Sequence, residues 1–183
     1  MEQTRSSTTI FYVGPSLYGC RVERLRGEQW CGPARAGDIY SKARAAWSPK
    51  TIVLIDGIFY HDLAVWHKEI IYALLKGIVV IGAASMGALR AAELDRYGMI
   101  GVGEVYQRYR AGEEDDALVA MSFDPQTYKP LRDAPIGQEI KCADALAAIA
   151  FAREYTGGVK TSLSFSDFGE YLERTLERIS YGG

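Results

Sequence analysis

Apolar residues along this chain fall into blocks whose period switches between that of a strand and that of a helix. Ile10–Val13 and Thr51–Ile55 are short apolar runs, each closed by a turn signal: Gly14-Pro15-Ser16 for the first and Asp56-Gly57 for the second. Ile78–Ala84 is an uninterrupted run rich in β-branched residues, the pattern of a central strand buried on both faces. Between these runs, Leu63, Trp66, Ile70, Ile71, Leu74 and Leu75 recur at helical spacing, which predicts a helix over 63–76 with Asp62 as its N-cap and Gly77 at its end. Further helices are predicted over 17–26, 38–47 (Asp38 as N-cap, Pro49 as stop) and 86–97, closing at Gly98. Residues 27–37 read as a loop.

The second half is less regular. Gly101–Asp116 carries three glycines among charged residues and ends in the acidic run Glu113–Asp116; 116–123 reads as a further strand. Beyond Pro135 the chain changes character, with an alanine-rich helix over 138–155 and another over 166–179, capped by Ser164 or Ser166. Strands alternating with helices over short connections imply an α/β fold, a mostly parallel sheet flanked by helices in a Rossmann-like three-layer arrangement. Residues 1–135 are expected to form this core. Residues 136–183 are expected to form a C-terminal helical extension of the same domain, packed on the sheet.

Composition narrows the function by exclusion. A chain of 183 residues, 48% hydrophobic and 24% charged, can bury a core, and 21 basic against 23 acidic side chains leave a net charge of −2. That balance singles out neither nucleic acid nor an anionic membrane as a partner. No run reaches the roughly 20 apolar residues of a membrane span, and the polar first nine residues lack the layout of a secretory signal, so the expected location is cytoplasmic. Cys20, Cys31 and Cys142 are an odd, widely spaced set that suggests neither a disulfide framework nor, with only His61 and His67 to add, a metal site. They read as ordinary reduced cysteines, with Cys20 or Cys31 retaining the alternative of a reactive thiol.

In a parallel sheet, ligands gather beyond the carboxyl ends of the strands. Three polar breaks fall there: Ser16, Asp56 and Ser85. Ser85 stands between a buried strand and a helix, followed by Met86-Gly87-Ala88. The position suits a nucleophile with the Gly87 and Ala88 N–H groups as an oxyanion hole, an anion-binding turn, or a plain helix cap. His67 shares the stripe of Leu63, Ile70, Ile71 and Leu74, so it is either a general base for Ser85 or a satisfied core histidine. Asp56 orients His67, binds a substrate amine, or forms an Asx turn. Arg90 and Glu93, three residues apart, either pair on a solvated face or place Arg90 on an anionic substrate. The acidic run lacks the alternation of a calcium loop and reads as a solvated face or a contact for a basic partner.

Taken together, Gly14-Pro15-Ser16, Ile55-Asp56-Gly57, Trp66-His67-Lys68-Glu69-Ile70, the block Gly82–Leu94, Gly98-Met99, Gly101-Val102-Gly103 and Glu114-Asp115-Asp116 resemble the TfuA-like family over about 11–135. The resemblance implies work beside a YcaO-type ATP-dependent enzyme in backbone thioamide formation on a precursor peptide or a protein. The TfuA-like partner would bring sulfur by hydrolysing a thiocarboxylated carrier protein, or would bind and activate the YcaO-type enzyme. On that reading Ser85, His67 and Asp56 are catalytic, while Ser16, Gly87, Ala88, Arg90 and Glu93 contact substrate. No cofactor of its own is implied, and the chain contains no glycine-rich Walker loop.

Overall fold

The computed structural model describes residues 8–58, 63–113, 122–131 and 137–161. Five strands, β1 (Thr9–Tyr12), β2 (Glu28–Cys31), β3 (Thr51–Leu54), β4 (Val79–Ala83) and β5 (Ile100–Val102), form one parallel sheet in the order β2-β1-β3-β4-β5. The helices are α1 (Asp38–Arg44), α2 (His67–Leu75), α3 (Met86–Leu94), α4 (Glu104–Ala111) and α5 (Gln138–Glu154).

Because successive strand side chains point to opposite faces, each buried strand contributes to two cores. Ile10, Tyr12, Ile52, Leu54 and Val80 pack with Ile39, Ile70, Leu74 and Leu94 from α1, α2 and α3. Phe11, Val53, Ile55, Ile81 and Ala83 pack with Ala145, Ala148, Ile149 and Ala152 of α5. The result is the expected α/β three-layer arrangement. Among the described residues, no helix is long and apolar enough to cross a membrane.

The helix expected over 17–26 is replaced by a single 3-10 turn, Pro15–Leu17, after which Gly19 takes a left-handed φ of 79° and the chain runs on without helix. The supposed loop over 27–37 contains edge strand β2. Its residues Glu28-Gln29-Trp30-Cys31 carry no apolar alternation because all four are only half-buried. The strand is held by its ladder to β1, by Trp30 stacked on Phe11 (4.5 Å between centroids), and by Arg153 of α5 paired with Glu28 at 2.8 Å.

Helix α2 begins at His67, later than expected, and Leu63 and Trp66, assigned to its buried stripe, are 62% and 53% exposed. Its cap is supplied by Glu69, whose carboxylate accepts the Trp66 N–H at 3.1 Å and the Tyr40 N–H at 3.3 Å. Helix α1 is preceded by Gly37 at φ 90°, and Asp38 instead accepts the Arg35 N–H. Helix α3 gives way at Asp95 to a 3-10 turn ending at Gly98. Strand β5 and helix α4 lie in the glycine-rich stretch where the sequence showed no period. Asp144 of α5 caps α4 by accepting the Glu104 and Val105 N–H groups, each at 2.8 Å. Asp62, most of the acidic run (114–116), most of the strand expected over 116–123, and the helix expected over 166–179 lie outside the described residues.

Cys20 and Cys142 form a disulfide, which corrects the reading of three reduced cysteines; Cys31 is free. The bond ties the β1–β2 crossover to α5 across 122 residues of sequence, a proximity that linear spacing does not reveal. Closing so long a loop restricts the unfolded chain, so reduction, or Cys20→Ser, is expected to lower stability by roughly 3–5 kcal/mol. Urea unfolding with and without dithiothreitol measures this. Coincident curves would mean that the bond does not persist in solution.

Candidate active site at the strand ends

In the order β2-β1-β3-β4-β5 the chain leaves β1 toward one edge and β3 toward the other. The crevice between the carboxyl ends of β1 and β3 is therefore the topological switch point, where open α/β sheets take their ligands. Asp56 fills it from the end of β3, fully enclosed. One carboxylate oxygen accepts the Gly14 N–H at 2.8 Å and the Ser16 N–H at 3.2 Å; the other accepts the Ser16 hydroxyl at 2.7 Å. Burial pushes the Asp56 pKa upward, the bonds from Ser16 and Gly14 and the charge of Lys141 draw it partly back, and it settles at about 6.

Lys141 comes from the first turn of α5. It is entirely buried, and among the described residues its Nζ has no hydrogen-bond partner. Burial pushes its pKa below the ordinary lysine value, while the nearby Asp56 carboxylate works in the opposite sense. One turn earlier, Gln138 Nε2 donates to Pro15 O at 2.8 Å and Ser16 O at 3.2 Å, pinning the loop after β1 beneath α5, and Gln138 Oε1 is buried without a partner. Lys141 escaped sequence reasoning, although a trace was present. It occupies the first position of the stripe Lys141, Ala145, Ala148, Ile149, Ala152, where every other residue is apolar.

Ser85 lies at the β4–α3 turn as expected, buried, after Ala84 at φ 64°. A left-handed alanine is a strained conformation that persists only where its surroundings enforce it, and such positions gather at functional turns. The Ser85 side chain makes no capping bond to α3. The two amides expected to form the oxyanion hole are engaged elsewhere: Gly87 N–H donates to Ile55 O at 3.1 Å and Ala88 N–H to Ser85 O at 2.9 Å. Gly87 is instead the point where α3 crosses the sheet, since a Cβ there would lie 1.7 Å from Leu54 O.

His67 joins neither Asp56 nor Ser85. Its Nε2 lies 2.8 Å from Glu93 Oε2, which also accepts Arg90 Nη1–H at 2.7 Å, while Arg90 Nε–H donates to Val65 O at 2.9 Å. Glu93 stands eight residues beyond Ser85, the length of α3. At the helical rise this is about 12 Å along the helix axis. Burial raises the Glu93 pKa, but the His67 hydrogen bond and the Arg90 charge outweigh it and hold the carboxyl below its ordinary value. This second cluster borders a surface recess of about 610 Å³ with Arg96, Tyr97 and Arg110. A separate cavity of about 480 Å³ adjoins the switch point, lined in part by Gly14, Leu17, Cys20, Trp30, Cys31 and Tyr128. Among the described residues no group of three or more histidine, cysteine or acidic side chains is placed to hold a metal ion.

The fold and site thus define a doubly wound α/β protein with a buried Asp–Ser–Lys cluster at its switch point. The family model for TfuA-like proteins matches residues 56–167, a span that opens on Asp56 and takes in Ser85 and Lys141. The chain belongs to the TfuA-like family. That membership associates it with YcaO-type enzymes and thioamide formation. No curated protein matches the chain.

Proposed function

We propose that this protein supplies sulfur to a YcaO-type enzyme by hydrolysing the C-terminal thiocarboxylate of a carrier protein at the switch-point crevice. The observation that carries the reading is the enclosed Asp56 carboxylate, bonded to Ser16 and Gly14, raised by burial to a pKa of about 6, and close to a buried lysine without a hydrogen-bond partner. A carboxyl tuned close to neutral pH can both accept and return a proton, which hydrolysis requires.

Ser85 Oγ forms a bond to the thioacid carbon, and the carbonyl π pair moves onto oxygen. That pair returns to expel sulfur, which leaves as hydrosulfide with the serine proton, relayed through Asp56. Water then attacks the acyl-serine, giving the carrier carboxylate, a proton and free Ser85. Ser16 positions Asp56. The His67–Glu93–Arg90 cluster, remote from the reacting atoms, fixes α3 against the chain entering α2. The YcaO-type enzyme consumes the sulfide at the activated amide of a precursor peptide.

Ser85→Ala is expected to reduce sulfide release from a thiocarboxylated carrier by a factor on the order of 1000 or more, with an unchanged circular dichroism spectrum. Retained release would remove Ser85 from the mechanism. If wild type releases no sulfide, and free sulfide does not relieve the YcaO-type enzyme of its need for this protein, the protein acts by binding and activating that enzyme.

A further inference from the structure

Hydrolysis at this edge develops a negative charge on the thioacid oxygen, and the two amides expected to receive it are already engaged. Gly87 N–H is committed to Ile55 O and Ala88 N–H to Ser85 O. Releasing either would detach α3 from β3 or unwind its first turn. Lys141 Nζ, by contrast, is an unused donor.

We infer that the Lys141 ammonium is the oxyanion-stabilising group, taking the terminal oxygen of the carrier's C-terminal thiocarboxylate on binding and holding it through the tetrahedral intermediate. The inference rests on the hydrolytic reading above. Its footing is geometric. Lys141 is wholly enclosed, and its Nζ carries N–H donors with no acceptor, although buried polar groups are almost always paired. A cation left in that state costs stability, and a chain keeps it where a ligand completes it. Asp56 is close enough to act on Lys141 electrostatically, but its oxygens bond Gly14 and Ser16 and accept no hydrogen bond from Nζ. Asp56 therefore balances the lysine charge without satisfying its donors. Helix α5 packs against both the turn after β1 and strand β4, and its first turn sets Lys141 close to Asp56 at the switch point. In a closed, low-dielectric site a fixed ammonium is already in place when the negative charge forms, the condition under which electrostatic stabilisation is largest.

The neighbouring residues fit the tail of such a carrier. Gln138 Oε1, one helical turn away, is a buried acceptor without a donor, suited to a backbone N–H of the carrier's last residues. The two orphaned atoms, one donor and one acceptor, match an extended peptide end that offers an anionic oxygen and an amide N–H.

The test compares Lys141→Met with wild type in the full chain. Methionine has similar length and suits the apolar stripe, so the variant is expected to melt at or above the wild-type temperature. Its kcat/KM for sulfide release should fall about 100- to 1000-fold. A second measurement is independent of turnover: with lysines labelled at ¹³Cε, the resonance absent from Lys141→Met spectra should shift when carrier ending in an ordinary carboxylate is added. Unchanged release by Lys141→Met, or no shift of that resonance on carrier binding, overturns the inference. Shift without any wild-type sulfide release would keep Lys141 as the anion site and overturn the hydrolytic reading alone.

Discussion

Gly87→Ala is expected to leave no stably folded protein. A Cβ at this position would meet Leu54 O at 1.7 Å and Leu54 C at 2.6 Å, distances at which no atom can remain. The obstruction is the backbone of a central strand bonded on both sides, so no side-chain rotation relieves it. Withdrawing α3 would also break the Gly87–Ile55 hydrogen bond and open a gap beside Gly82, whose own Cβ position lies 2.1 Å from Gly87 O. Ordinary overpacking costs about 1–3 kcal/mol; this clash is more severe, and the loss is set against a total stability of about 5–15 kcal/mol. Thermal unfolding and the dispersion of amide NMR signals measure the outcome. Ser85→Ala, two residues away, provides the folded control. A Gly87→Ala protein melting within a few degrees of wild type would show that α3 does not approach the sheet so closely.

Asp56→Asn should separate charge from shape at the switch point. Asparagine keeps an oxygen for the Gly14 and Ser16 N–H groups, and its amide can donate to a reoriented Ser16 hydroxyl, so the loop after β1 retains its bonds. On the proposed mechanism this removes the proton relay, and sulfide release at neutral pH is expected to fall about 100- to 10,000-fold.

The substitution also changes the pH dependence of stability. The Asp56 pKa is raised in the fold, to about 6 from 3.8, so between those values the native state holds a proton that the unfolded chain has released. The stabilisation this gives is fully present below about pH 4 and is lost as pH rises through 6, a change on the order of 3 kcal/mol. Subtracting the Asp56→Asn stability curve from that of wild type should isolate this falling limb. A difference that is flat from pH 4 to 7 would mean that Asp56 titrates as an exposed carboxyl does, and the proton-relay role would fail with it.

Parts of the molecule that follow from local pattern were legible in the chain. β3, β4, α3 and most of α2 are continuous apolar or periodic blocks, and their alternation implied the parallel sheet with helices on its faces. Ser16, Asp56 and Ser85 were legible as a shared edge because each is the first polar break after an apolar strand. β2 and α4 were not, since a half-buried edge strand needs no alternation and α4 is capped from Asp144, forty residues downstream. The partner of His67 was not legible for a related reason. Its helical stripe shows which side of α2 it occupies, but not how far along α3 its partner stands.

The sequence by itself determined the class of fold, the strand ends at which chemistry is possible, and membership of the TfuA-like family, because hydrophobic period and motif residues are local properties. Tertiary structure alone decided which groups share the crevice. Asp56 is bonded to the loop after β1, Lys141 is carried there by α5 from 85 positions away, and Cys20 meets Cys142 across 122. It also decided that Gly87 holds α3 against the sheet, with its N–H on Ile55 O. Burial and proximity set the charge state of a carboxyl and leave an ammonium without partners, and both are properties of the packed chain that no window of sequence contains.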